Sequence, residues 1–180
     1  MATTLTNANL TVTLSESVLL NGIEQGSTST KAYSGINEVY KRIVTVTTTE
    51  ATVLSFHATD IGVGQLVEAN VRYMRFTNLD DTNFITLTFT NENSDEVALK
   101  LDAGQSFIFN ADNSGGVVDV FNATENADAN SDAALGDLTG VQADANTASC
   151  DLEIFFLSLI EYLRFSTDNF PQPSNFSILS

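Results

Sequence analysis

One cysteine, one histidine, no tryptophan and two prolines in 180 residues leave little for catalysis to use. The single Cys150 excludes an intrachain disulfide framework. Lying in an apolar run, it is expected to be a buried small hydrophobe. The lone His57 has no Ser, Cys or Glu partner at a recognisable spacing, so it reads as a loop or rim residue rather than a general base. Paired-carboxylate glycoside hydrolysis needs aromatic sugar platforms. With no Trp, and with Tyr33, Tyr40, Tyr73 and Tyr162 scattered, the chain does not supply them. Gly-x-Ser-x-Gly, phosphate-loop, dinucleotide and Cys/His metal signatures are all missing. Together these gaps argue against an enzyme and predict neither a cofactor nor a metal.

Positive charge is also scarce. Seven Lys and Arg stand against twenty-three Asp and Glu, a formal charge of −16. Such a field repels phosphate backbones, which argues against nucleic acid, and opposes self-association at low salt. The longest apolar stretch, Ile154–Leu163, is broken by Ser158 and Glu161 and is too short for a bilayer span. Met1–Leu10 lacks the basic start and apolar run of a signal peptide. The expectation is a soluble chain made in a cytosol, with no membrane partner.

What is present is β-structure, clearest between Val71 and Asn110, which reads as four strands and three turns. Ile85, Leu87 and Phe89 alternate with Thr86 and Thr88, and Val97, Leu99 and Leu101 with Ala98 and Lys100. Period two with β-branched and aromatic residues marks half-buried antiparallel strands. The connectors hold Asn78, Asp80, Asp81 and Asn83, then Asn91–Asp95, residues that bond their own backbone and tolerate left-handed conformations. Gly104 supplies a position of positive φ. Asp80, Asp81 and Asn83 could be read as a calcium loop, but the spacing lacks the Gly and the final Glu of an EF-hand. A turn closed by side-chain to backbone bonds accounts for the same residues.

Elsewhere, Leu10, Val12 and Leu14 predict a strand, and Asn21-Gly22 after Val18-Leu19-Leu20 predicts a type I′ hairpin. Gln25–Thr30 reads as a polar loop. Val39–Thr48 and Val53–Phe56 read as strands, with Lys41-Arg42 as a local counter-charge. Val117–Phe121 reads as a further strand. Residues 122–149 are rich in Ala, Asp and Asn, with Leu135, Leu138 and Val141 as the only large apolar residues, and read as a long acidic surface loop. Its Asp128, Asp132, Asp137 and Asp144 are too loosely spaced for a preformed cation cage. Cys150–Phe165 fits either a strand or a helical stripe; a strand to about Ser158 is expected. The tail from Ser166 holds Pro171 and Pro173 and should be extended, and its Phe170, Phe176, Ile178 and Leu179 suggest docking.

The resulting expectation is an all-β antiparallel sandwich, jelly-roll-like, of eight to ten strands. It forms one domain over residues 1–165, with an extended C-terminal tail over 166–180. The segments Ser34–Val46, Arg75–Leu87 and Lys100–Phe109 resemble small virion structural proteins of marine tailed phages, cyanophages in particular. They also resemble the β-domains of phage head-decoration and tail-accessory proteins, over roughly residues 10–121. The resemblance implies a particle component without catalytic residues. The function expected is a capsid decoration or cement protein on the virion surface. It would pack on the major capsid protein or other virion proteins as a homo-oligomer, a trimer being favoured. The alternatives are a tail, collar or fibre-attached component, and a glycan-binding module using Tyr33, Tyr40 or Asp80.

Overall fold

Alternating apolar runs separated by Asx-rich turns reverse direction, and the centre of this chain places four such strands in succession. The structure, a computed structural model, describes residues 6–59, 64–111, 115–123 and 135–159. The described residues form thirteen strands: β1 (Ala8–Ser15), β2 (Leu19–Leu20), β3 (Ile23–Glu24), β4 (Thr28–Ile36), β5 (Glu38–Val46), β6 (Ala51–His57), β7 (Leu66–Val67), β8 (Val71–Asn78), β9 (Ile85–Asn91), β10 (Glu96–Leu101), β11 (Ser106–Asn110), β12 (Leu138–Ala145) and β13 (Cys150–Ser158).

Two sheets face each other. One has the order β10-β9-β12-β6-β7 and the other β11-β8-β13-β5. Numbering the eight long strands β5, β6 and β8–β13 from one to eight, the sheets read 2-7-4-5 and 1-8-3-6, with every pair among them antiparallel. That order is the double Greek key of a jelly roll, so the expected fold class holds. The nine strands of the sandwich fall within the expected number, and a separate ribbon contributes the other four.

Inward-facing positions build one core. Leu152, Ile154 and Phe156 of β13, Met74 and Phe76 of β8 and Ile85, Leu87 and Phe89 of β9 are buried together. Phe89 sits at its aromatic centre, its ring 5.5–6.0 Å from those of Phe76, Phe107 and Phe109. Cys150 is buried here as expected. Its thiol donates to the Ala148 carbonyl, and burial pushes its pKa up.

The reading of residues 122–149 as a surface loop is overturned for its second half. Leu138–Ala145 is β12, an inner strand of the larger sheet, paired with β9 on one side and β6 on the other. Its core-facing residues are Leu138, Val141, Ala143 and Ala145. Register breaks, one between Leu138 and Gly140, shift the alternation, and two of the four core residues are alanines, so no period-two apolar signal reaches the sequence. Asp128 and Asp132 lie outside the described residues.

Two smaller corrections concern local backbone. Val117–Phe121 is not a strand: Gly116 and Asp119 both have positive φ, and only an isolated bridge from Phe121 to Gly136 remains. Residues 28–30, read as part of a polar loop, begin β4, whose hydrogen bonds go to β1. The strand ending at Ser158 agrees with the reading of the C-terminal run. The proposed docking tail, with Phe170, Phe176, Ile178 and Leu179, lies outside the described residues.

Candidate interaction surface

Residues 8–36 form one long antiparallel ribbon, β1 with β4 and, further out, β2 with β3. Its root is built into the body. Tyr33 and Ile36 are buried with Tyr73 and Leu157 on the outer face of the β11-β8-β13-β5 sheet, and Leu10, Val12 and Phe155 pack around them. The Tyr33 hydroxyl donates to Asn110 Oδ1 at 2.7 Å, and the Asn37 amide donates to the Ser158 carbonyl at 3.2 Å. The root therefore spans the sheet from β13 to β11. Beyond Val12 the ribbon continues for about 25 Å at ~3.3 Å per residue.

The far end is ordered by local bonds. Asn21 and Gly22 have φ of 51° and 79°, the two positive values a type I′ turn needs. Glu24 accepts the Val18 and Gly26 amides, both at 2.8 Å, and the Ser17 hydroxyl. The Val18 amide contributes most to holding its carboxyl below the usual carboxylate range. Gly26 leaves no room for a side chain, since a Cβ would run into the Glu16 carbonyl. Around this frame Leu14, Val18, Leu19, Leu20 and Ile23 are each 53–69% exposed. Five large apolar side chains clustered on one protruding tip are unlike scattered surface hydrophobes. The alternation in this stretch was readable from the sequence, but alternation predicts one buried face, and here none of the described residues covers either face.

The opposite edge of the same sheet is β5, paired among the described residues only with β13. Its outer face exposes Val39 and Ile43, 61% and 56%, with Lys41 between them, while Arg42, paired across from the core residue Ile154, lies on the other face. Lys41 and Arg75 converge on Glu153 at 2.9 and 2.6 Å, and Arg75 lies over the Phe155 ring. The hydrogen bond from Lys41, then that from Arg75, draws the Glu153 pKa down. Lys41 is thus a local counter-charge, as its sequence position suggested; Arg42 Nη1 reaches the Tyr40 hydroxyl at 3.3 Å. On the inner side, β5 and β6 bound a cleft in two parts, of about 210 and 380 Å³. Val44 and Arg42 line the first, Tyr40 and His57 the second, and Val53 both.

Asn78, Asp80, Asn83 and Gly104 meet at one end of the sandwich. Asn78 Nδ2 donates to the carbonyls of Asn83 and Leu101, and its Oδ1 accepts the Asp80 amide. Asp80 Oδ1 accepts the amides of Asn83 and Thr82, which lower its pKa in that order. Asn78 and Asp80 thus each give a side-chain oxygen to backbone amides of the turn, while Asp81 and Asn83 accept from the hydroxyls of Thr82 and Thr147. Gly104 has φ +70° in the turn whose Gln105 carbonyl accepts the Asn78 amide. Asn21 and Gly22 stand apart, at the ribbon tip.

One buried carboxyl escaped the sequence reading altogether. Glu68, 5% exposed in a 3₁₀ turn (Glu68–Asn70), has its pKa pushed up to about 7, by burial first and by Asp137 second. A raised folded-state value stabilises the protonated form. Its contribution is complete below the unfolded value near 4.5 and is lost as pH rises through about 7. Glu68→Gln is therefore expected to flatten the fall in stability between those pH values and to gain about 1–3 kcal/mol at pH 8 in urea melts. An unchanged pH slope would show that the carboxyl stays ionised.

An all-β jelly roll carrying an ordered apolar ribbon is the class of protein these features define. The sequence matches no family model and no curated protein.

Proposed function

We propose that this protein is a non-enzymatic structural component of a tailed-phage virion. In this reading it is a decoration or cement protein that packs on the major capsid protein as a homo-oligomer, with a trimer favoured, at the particle surface. The observation that carries the reading is the ribbon tip, where an ordered hairpin holds five large apolar side chains in solvent. A surface of that kind, fixed before contact, loses little entropy on docking and suits a permanent assembly. The resemblance of residues 10–121 to phage particle proteins supports the choice of assembly, while the jelly roll by itself selects no function.

Copy number in purified particles, measured by quantitative mass spectrometry against the major capsid protein, tests the proposal. A stoichiometry near that of the capsid protein is expected. A count near six or twelve would move the protein to the tail or collar, and absence from the particle would end the proposal.

A further inference from the structure

The ribbon and the β5 edge lie on opposite sides of one sheet and carry complementary surfaces. From Ile36 the root passes over β13 and β8 towards Asn110 of β11, so the tip leaves the body on the side away from β5. Residues 14–27 contain two glutamates and neither Lys nor Arg. The β5 edge exposes Val39 and Ile43 and carries Lys41-Arg42, the only adjacent basic pair in the chain. For a molecule of charge −16, two copies repel unless an acidic surface of one meets the scarce cations of the other. Among the described residues no strand pairs with the second edge of the nine-residue β5, the kind of edge that accepts another strand.

We propose that the ribbon tip of one copy docks on the β5 edge of a second copy. Val18, Leu19, Leu20 and Ile23 cover Val39 and Ile43, and Glu16 approaches Lys41, which stands between them. Because the two surfaces differ, the contact is head-to-tail, and repeating it builds a ring where the rotation between copies closes and a filament where it does not. A trimer is the smallest such ring of more than two copies. This inference rests on the assembly reading of the chain and names its first partner as the chain itself.

Two variants of the full chain, each with one added cysteine, test it. Leu20→Cys and Ile43→Cys both replace exposed side chains, 62% and 56%, and the native Cys150 is buried. Mixed under mild oxidation, they are expected to give a Leu20→Cys/Ile43→Cys cross-linked dimer at least tenfold in excess of either homodimer. Sedimentation of the unmodified chain should give a multiple of the monomer mass that reverts to monomer in Leu19→Ser/Ile23→Ser, with circular dichroism and melting temperature unchanged. A monomer at all concentrations and salts, or predominant Leu20→Cys homodimers, would overturn the inference. Either result, in a protein present at high copy in particles, would leave the virion assignment standing. Self-association with absence from particles would do the reverse.

Discussion

Phe89→Ala should lower stability by about 3–5 kcal/mol, the usual cost of truncating a buried aromatic. Phe89 is 3% exposed, and its ring meets Phe76 edge-on, Phe107 in a tilted edge contact and Phe109 in a stack. Those rings come from β8 and β11 of the opposite sheet, so the substitution removes contact between the two layers and not within one. Around Phe89 the cross-strand partners Val97 and Val141 are held by backbone pairing and cannot close the gap. In a chain of this size the loss corresponds to roughly 6–20 °C in melting temperature. A thermal melt by circular dichroism measures it. A fall of under about 1 kcal/mol would mean that the core collapses around the void, contrary to its fixed strand registers.

Asn78→Asp is the sharper substitution, because it changes charge and donor capacity at nearly constant shape. Asn78 is fully buried, and its amide nitrogen serves the carbonyls of Asn83 and Leu101. An aspartate there loses both donations and aims an anion at two carbonyl oxygens. The expected loss is about 3–5 kcal/mol at pH 7, the range for a buried charge without its partner. Asn78→Ala, which leaves the two carbonyls unsatisfied without adding charge, should cost about 2–3 kcal/mol. Urea denaturation of the pair gives the ordering; equal losses would show that water reaches the site and solvates the carboxylate.

The four strands from Val71 to Asn110 were legible because β9 and β10 keep a two-residue period and the turns carry residues with an evident local use. Asn21-Gly22 was legible for the same reason. β8, buried on both faces, and the division of the four strands between two sheets left no such period to read. β12 was hidden by its displaced register and by Ala143 and Ala145, which fill core positions without looking apolar in a run of Asp, Gln and Thr. β4 was hidden because only Tyr33 and Ile36 of its nine residues are buried, three apart, while the rest of the ribbon has solvent on both sides. Gly116 and Asp119 broke an otherwise convincing valine run through backbone conformation alone. At the interaction surface the apolar residues were visible, but whether a side chain is covered depends on which elements come together, and for the ribbon tip none does. Glu68 gave no signal, since its burial follows from the packing of a 3₁₀ turn against a segment seventy residues away in sequence.

The strand order also sets a timetable for the newborn chain. Among the described strands β5 finds its neighbour only in β13, and β6 pairs otherwise only with the two-residue β7 until β12 arrives. Both arriving strands come late in synthesis and take inner places, between β9 and β6 and between β8 and β5. While translation proceeds, the ribbon and the β8–β11 and β9–β10 pairs can close locally, but neither layer of the sandwich can. The growing polypeptide must therefore carry unpaired strand edges and an apolar interior until its last described strand leaves the ribosome, which makes folding slow and gives chaperones their opening before any neighbouring copy can engage.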